Sequence, residues 1–182
     1  MTRKMKINHL KNHYSDYVLM FLKKYAKELS TQMKVGDIGA GHLRNLKLFE
    51  LLKFEKLYAV DREETENPLD INLSEFILQD IENGIPFPDR FLDITLCNFV
   101  LMFVEKQKYV IDELLRVTDK FLIIETYPKK HKTKYMTFHR EYDFKEIVNY
   151  IEKNPDFELL QVREFHEGLT VRRKSWAEKA NM

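Results

Sequence analysis

The sequence predicts a single α/β domain in which a mostly parallel sheet carries helices on both faces. Short segments such as residues 121–124 have the continuous apolar character of strands that are buried on both sides. They alternate along the chain with segments whose apolar residues recur at helical spacing. Three of the chain's five glycines also cluster where the first predicted strand ends. In such sheets, ligands bind beyond the carboxyl ends of the strands.

The composition agrees with one soluble domain. Of the 182 residues, 44% are apolar and 32% are charged, and the net charge is +1. No apolar run approaches the roughly 18 residues of a membrane span, and the basic N-terminal residues lack the apolar core of a signal peptide. Cys97 is the single cysteine, which excludes an internal disulfide and a multi-cysteine zinc site. We therefore expect a cytoplasmic protein with no membrane partner and no bound metal.

The first predicted element is an N-terminal helix. Apolar residues recur at three- and four-residue steps from Leu10 to Leu29, which predicts a helix of about five turns. Tyr14 and Tyr17 lie on this apolar stripe and are interpreted as packing residues, with a substrate lid as the alternative. The helix forms a cap within residues 1–32, and residues 33–182 form the Rossmann-like core of the same domain.

Strands and helices then alternate. The predicted strands are residues 33–38, 57–60, 76–78, 93–97 and 121–124, and the predicted helices between and after them are residues 46–52, 109–117 and 144–151. Residues 157–164 and 170–174 predict a closing antiparallel hairpin around Gly168.

The glycine cluster and the next strand end predict a nucleoside site. Glycine accepts positive φ and lets a ligand approach the backbone, and Gly39 and Gly41 lie in the turn between a strand and a helix. Asp61 ends the next strand, where a carboxylate can accept hydrogen bonds from both ribose hydroxyls. A dinucleotide site has a third glycine where this chain has Arg44, so NAD and FAD are disfavoured. S-adenosylmethionine has no pyrophosphate and does not require that glycine.

Four segments together resemble the class I S-adenosylmethionine-dependent methyltransferases, in particular small members with an "LPFPD" segment. Val-Gly-Asp-Ile-Gly-Ala-Gly at residues 35–41 looks like their first motif, and Tyr-Ala-Val-Asp at residues 58–61 like their second. Residues 79–101 are similar to the "LPFPD" segment and the fourth strand, and Glu-Leu-Leu-Arg-Val at residues 113–117 to the helix before strand five. The resemblance runs from about Lys34 to Tyr127. It implies a methyltransferase with S-adenosylmethionine as cofactor and a seven-stranded sheet.

The resemblance also implies residue roles. The methionine part and the ribose of the cofactor would be held by Asp37, by the backbone of Gly39, Ala40 and Gly41, and by Asp61 with Arg62 beside it. Asp80 would accept from the adenine amino group, and the Ile81 amide would bind a ring nitrogen. Asn98 and Phe99 would lie beside the sulfonium and the methyl acceptor, and Asn98 is the candidate catalytic residue. Acidic groups suit a cationic sulfonium, and a fixed pocket aligns the acceptor with the methyl group.

Two departures from the family pattern stand out. His42 and Leu43 follow Gly41 where smaller residues are commoner, and their bulk would crowd the methionine end of the cofactor. Residues 117–120 are expected to turn into strand five without the usual glycine pair.

Several other residues have two interpretations. Cys97 is either a nucleophile for pyrimidine methylation or, as we favour, a buried strand thiol. Glu125 ends strand five and either orients a substrate or faces water, whereas Asp93 begins its strand and is interpreted as structural. Three histidines are possible general bases, with loop or cap roles as the default: His42, His131 and His139.

The distribution of basic residues bears on the methyl acceptor. Residues 1–34 contain eight Lys and Arg against two acids, and Lys129, Lys130, Lys132 and Lys134 directly follow strand five. Basic side chains beside the crevice would hold phosphates, which favours nucleic acid, RNA in particular, as the acceptor. The alternatives are a small molecule enclosed by the N-terminal helix and residues 127–138, and a non-catalytic methyltransferase-like binding module.

Overall fold

The computed structural model describes residues 15–65, 67, 69–126, 143–163 and 167–180. The strands are β1 (Lys34–Ile38), β2 (Lys56–Asp61), β3 (Glu75–Leu78), β4 (Leu92–Asn98), β5 (Thr118–Glu125), β6 (Phe157–Arg163) and β7 (Gly168–Arg173). The helices are α1 (Asp16–Tyr25), α2 (Arg44–Leu51), α3 (Gln107–Val117), α4 (Phe144–Glu152) and α5 (Lys174–Ala180). Short 3-10 helices span Ala26–Glu28, Ile81–Asn83 and Leu101–Phe103. Each helix in this part of the chain is too short or too polar to cross a bilayer.

The seven strands form one sheet in the order β3-β2-β1-β4-β5-β7-β6. Strands β1 to β5 pair in parallel, whereas β7 runs antiparallel to both β5 and β6. This arrangement confirms the predicted Rossmann-like fold with an antiparallel C-terminal hairpin. The strand order reverses between β1 and β4, and such a reversal opens a crevice at the carboxyl ends of the two strands.

The core has one layer on each face of the sheet. Ile94 and Leu96 of β4 pack in the layer that contains the apolar sides of α1 and α2. Leu92 and Cys97 of the same strand belong to the layer with α3 and α4. Cys97 is fully buried, and this burial raises the pKa of its thiol, which keeps the nucleophilic thiolate scarce. The interpretation of Cys97 as a buried strand thiol is confirmed.

The N-terminal helix is shorter than predicted. Ser15 caps α1, since its hydroxyl oxygen accepts a hydrogen bond from the Val18 amide at 3.1 Å. The helix ends at Tyr25, and Leu29, which was predicted to be helical, is extended because the chain turns there to enter β1. Leu10 and Tyr14 lie outside the described residues. Tyr17 is 1% exposed, which confirms its packing role.

The junction between α3 and β5 also differs from the prediction. The predicted turn at residues 117–120 does not form, because β5 begins at Thr118, directly after the last residue of α3. The buried Arg173 guanidinium donates to the carbonyl oxygens of Leu115 (2.9 Å) and Thr118 (2.8 Å). These bonds provide donors for the carbonyl oxygens at the end of α3, where a glycine commonly ends a helix. Helix α5, which follows Arg173, was not predicted.

The amino-terminal ends of the central strands, away from the crevice, are held together by polar contacts. At the start of β4, the Asp93 carboxylate accepts from the Lys34 amide and pairs with the Lys120 ammonium, both at 2.7 Å. These contacts join three strands at their amino-terminal side, far along β4 from the crevice. The structural interpretation of Asp93 is confirmed.

Candidate active site

A cavity of about 220 Å³ lies at the carboxyl edge of the sheet. Its walls come from the segments that follow β1, β2, β3 and β4, so it lies where the strand order reverses. The lining residues are Gly39, Asp61, Arg62, Gln79, Asp80, Ile81, Glu82, Phe99, Val100, Phe103 and Val104. The cavity therefore joins a polar side near β2 and β3 to an apolar side after β4.

The bend after β1 is held by backbone hydrogen bonds and close packing. Gly39 has φ 76°, and the amides of Gly39 and Ala40 both donate to the Val60 carbonyl oxygen. A Cβ on Gly39 would lie 2.3 Å from a methyl group of Val100, which is closer than any side chain tolerates. Only glycine thus fits this wall of the cavity in its present form.

Asp61 connects the bend to β2. One carboxylate oxygen accepts from the Gly41 amide at 2.7 Å, and the other accepts from the Glu63 amide at 3.1 Å. A carboxylate offers about four acceptor directions. Two bonds therefore leave capacity to accept hydroxyl donors from a ligand in the cavity that Asp61 lines.

Asp80 forms the far polar wall. It caps the 3-10 helix Ile81–Asn83, and its Oδ1 atom accepts from the Glu82 amide at 2.9 Å. The Ile81 side chain is buried beneath this turn. The first amides of a helix have no partner within it, so the Ile81 amide and the Asp80 carboxylate together offer a donor and an acceptor.

Asp37 lies within the sheet below the bend and does not line the cavity. It is 3% exposed, and burial raises the pKa of its carboxyl to about 7, with nearby Arg44 opposing the increase and Asp61 adding to it. A cation bound above β1 would favour the ionised form of this carboxyl. Asp37 can therefore act on a ligand through charge.

A buried polar network links the ends of β4 and β5 to the N-terminal helix. Glu125 is 5% exposed, and its Oε2 atom accepts from the Ser15 hydroxyl at 2.5 Å and from the Asn98 side-chain amide at 2.9 Å. The possibility that Glu125 simply faces water is therefore wrong. The Ser15 amide also donates to the Asn45 side chain of α2, so the cap residue of α1 contacts both sides of the crevice.

Phe99 holds a strained backbone at the mouth of this network. It has φ 62°, which is rare for a bulky residue, and its amide donates to the Glu125 carbonyl oxygen at 2.6 Å. Strain of this kind is concentrated at functional sites, where the surrounding structure maintains it. Phe99 thereby enters the cavity wall while Asn98 stays buried behind it.

The predicted site residues divide into two groups. Six of them line the cavity: Gly39, Asp61, Arg62, Asp80, Ile81 and Phe99. The other four lie within two residues of a lining residue along the chain: Asp37, Ala40, Gly41 and Asn98. Their positions agree with one common site, whereas their binding roles stay predictions.

The predicted crowding by His42 and Leu43 does not arise at the cavity wall. Leu43 has φ 61° and a fully buried side chain in the core layer that contains α1 and α2, and His42 is exposed to solvent. Neither residue lines the cavity. His131, His139 and the lysines of residues 129–134 lie outside the described residues.

The apolar wall was not predicted. Val100, Phe103 and Val104 line the cavity through the 3-10 helix after β4. The apolar run after Asn98 could have indicated it, but the same run is equally typical of buried core. Within the described ranges, no cluster of three or more His, Cys, Asp or Glu side chains has the arrangement of a metal site.

Comparison with known proteins agrees with this geometry. Residues 36–121 match the family model of a methyltransferase domain. A SAM-dependent methyltransferase from Aquifex aeolicus is 23% identical, with a TM-score of 0.60 and coverage of 95% of this chain and 98% of that chain. Magnesium protoporphyrin IX methyltransferase from Synechocystis, solved with bound S-adenosylmethionine, is 17% identical, with a TM-score of 0.63 and coverage of 93% and 81%.

A methyltransferase in complex with the Haloferax volcanii Trm112 methyltransferase activator is similar over nearly the whole length. It is 12% identical, with a TM-score of 0.68 and coverage of 93% of this chain and 94% of that chain. No curated protein sequence matches the chain.

Proposed function

We propose that this chain is a class I S-adenosylmethionine-dependent methyltransferase, that the cofactor binds in the cavity and that the methyl acceptor is anionic. The match of residues 36–121 to a methyltransferase domain and the fold shared with solved methyltransferases support the proposal. The observation that carries the cofactor site is the alignment of Gly39, Asp61 and Asp80. These residues lie at or just after the carboxyl ends of three neighbouring strands and line one cavity. Among anionic acceptors, nucleic acid is the class we favour.

The strand order supports one orientation of the cofactor. Adjacent strands lie about 4.8 Å apart, so the sites after β3, β2 and β1 follow one another along the edge. Asp80 and the Ile81 amide would bind the adenine, and Asp61 would bind the ribose hydroxyls. The methionine part and the sulfonium would then lie above the Gly39 bend, next to β4.

The residues of this chain contribute position and charge. S-adenosylmethionine supplies an activated methyl group. The buried Asp37 carboxyl, whose pKa is raised to about 7 mainly by burial, would be ionised by a cation bound above it. The Gly39 bend and the apolar side chains Val100 and Phe103 line the cavity, where they would exclude water and hold the reactants in line.

The preference for an anionic acceptor is supported by the composition of two segments that join the domain beside the acceptor end. Ser15 and Thr126 are the described residues at which the segments 1–14 and 127–142 join the domain, and both lie beside Glu125 in space or sequence. Segment 1–14 contains Arg3, Lys4, Lys6 and Lys11 and no acid. Segment 127–142 contains four lysines and Arg140 against the single acid Glu141. Cations attached there favour phosphate groups on the acceptor.

A small-molecule acceptor is the second candidate. The bonds of Ser15 to Glu125 and Asn45 hold the start of α1 across the acceptor end, which favours an enclosed substrate. Proteins with this fold differ in their methyl acceptors. One such protein is magnesium protoporphyrin IX methyltransferase.

Two measurements test the proposal. Thermal unfolding with S-adenosylmethionine at about 100 times its dissociation constant should show a stabilisation of about 2.7 kcal/mol. No stabilisation by the cofactor or by S-adenosylhomocysteine would contradict the cofactor site. Binding to an RNA oligonucleotide should weaken steeply as salt rises. Absence of binding at low salt would exclude the nucleic-acid acceptor and leave the small-molecule candidate.

A further inference from the structure

The side-chain oxygen of Asn98 is a buried acceptor without a donor. Among the residues that the structure describes, Asn98 Oδ1 is shielded from solvent and has no hydrogen-bond partner. Buried polar atoms nearly always have a partner, so this oxygen can accept a hydrogen bond that the described residues do not supply. Asn98 itself is 8% exposed at the last position of β4.

Two neighbours fix the direction of this oxygen. The Ser15 hydroxyl oxygen accepts from the Val18 amide, so the hydroxyl hydrogen is available to Glu125. Glu125 Oε2 therefore acts as an acceptor, and the Asn98 group that faces the same oxygen at 2.9 Å must be the amino group. The carbonyl oxygen of the Asn98 amide is then directed away from Glu125.

Asn98 is the last residue of β4, directly before the lining residue Phe99, and so lies next to the acceptor end of the proposed site. Strand β4 lies between β1, which carries the Gly39 bend, and β5, which ends in Glu125. Phe99, the residue after Asn98, lines the cavity, and its backbone is bonded to Glu125. The cofactor positions proposed above occupy the ends of β3, β2 and β1. The space beside β4 and β5 is left for the group that receives the methyl.

We propose that Asn98 Oδ1 accepts a hydrogen bond from the methyl acceptor and that Glu125 is the positioning residue that orients it. The inference rests on the proposed function and narrows its substrate class. The acceptor atom is a nitrogen or oxygen that carries a hydrogen. The acceptor supplies the electron pair for its new bond to the methyl group, the methyl–sulfur bond breaks with its electrons left on the sulfur, and the acceptor loses that hydrogen as a proton to water. S-adenosylhomocysteine is the other product.

Sinefungin provides a probe that needs no knowledge of the acceptor. In this analogue, a carbon that bears an amino group replaces the sulfur and its methyl, so N–H donors stand where the methyl group would be. S-adenosylhomocysteine has the same adenosine and amino-acid parts and nothing at that position. Calorimetry gives the dissociation constants of both ligands for the native protein, Asn98→Leu and Glu125→Leu. The comparison separates effects at the methyl position from effects on the adenosine and amino-acid parts.

Asn98→Leu should weaken sinefungin binding about tenfold and leave S-adenosylhomocysteine binding unchanged, because one hydrogen bond from a charged donor is lost. Glu125→Leu should also weaken sinefungin binding relative to S-adenosylhomocysteine binding, but by less, since the Asn98 amide is no longer oriented. Retained S-adenosylhomocysteine binding shows that a variant is folded. If Asn98→Leu does not fold, Asn98→Ser, which keeps a donor towards Glu125, is measured instead.

Equal losses for both ligands would overturn the inference and place Asn98 at the methionine end of the cofactor. Unchanged binding of both ligands would overturn it as well. Failure of the native protein to bind S-adenosylhomocysteine would contradict the proposed function itself, which is a distinguishable result.

Discussion

The Gly41 amide lies 2.7 Å from a carboxylate oxygen of Asp61, so the glycine bend after β1 is bonded directly to the end of β2. The other oxygen of Asp61 accepts from the Glu63 amide and fixes the following loop. One carboxylate therefore holds two loops of the cavity and, in the proposed function, the ribose between them. Asp61 is the residue on which the cofactor site depends most.

Replacement of Asp61 by asparagine should weaken binding of S-adenosylhomocysteine by at least tenfold. The charged acceptor of the ribose hydroxyls is lost, and bonds to charged groups contribute about 1.5–3 kcal/mol. Isothermal titration calorimetry measures this change. Asp70→Asn is the matched control, since Asp70 is exposed and lies outside the cavity lining. Equal affinities for the two variants would contradict the ribose assignment.

Alanine at Gly39 should destabilise the fold more than alanine at Gly41. Both positions have positive φ, which costs about 1–2 kcal/mol for a residue with a Cβ. At Gly39 the new Cβ also collides with Val100, which adds about 1–3 kcal/mol, whereas nothing lies within 4 Å of a Cβ at Gly41. Urea unfolding compares the variants. A larger cost at Gly41 would mean that the bend is arranged differently.

The stability of Asp37→Asn relative to the native protein should depend on pH. Burial raises the pKa of the Asp37 carboxyl from 3.8 to about 7, so its contribution to stability is full below pH 3.8 and is lost as pH rises towards 7. Between pH 3.8 and pH 7, the free energy of unfolding of the variant should therefore rise relative to that of the native protein by on the order of 4 kcal/mol. Urea unfolding of both proteins at pH 5 and pH 8 measures the part of the gain in that interval. The same difference at both values would show that Asp37 titrates normally.

Cofactor binding should shift the protonation equilibrium of Asp37. A cation above β1 favours ionised Asp37, so S-adenosylmethionine should bind the native protein more weakly as pH falls below about 7. Asp37→Asn should remove this dependence. Calorimetry at several pH values checks the prediction, and an equally steep dependence in the variant would assign it to another group.

Arg173→Leu should destabilise the domain by about 2–4 kcal/mol. The guanidinium is buried, and its removal leaves the carbonyl oxygens of Leu115 and Thr118 without donors. The neighbouring Arg172 forms partly exposed ion pairs with Glu28 and Glu158, and Arg172→Leu should cost about 1 kcal/mol or less. Urea unfolding measures both, and a reversal of their order would contradict the role of Arg173 as a helix cap.

The features that local sequence encodes were predicted well. The glycine bend, the carboxylates Asp61 and Asp80 at strand ends, and the apolar character of β5 depend on neighbouring residues. They predicted the fold class, which is confirmed, and a common position for the candidate site residues. The features that were missed depend on distant partners. Residue 173 determines how α3 ends near Leu115, and Ser15 holds Glu125 from 110 positions away. No periodicity or spacing reveals such pairs.

The most direct measurement is a crystal structure of the protein with S-adenosylhomocysteine. The proposal predicts that the ribose hydroxyls donate to Asp61, that the adenine lies against Asp80 and Ile81, and that the sulfur lies above the Gly39 bend beside Asn98. A nucleoside bound elsewhere, or an unoccupied cavity at a saturating ligand concentration, would contradict it.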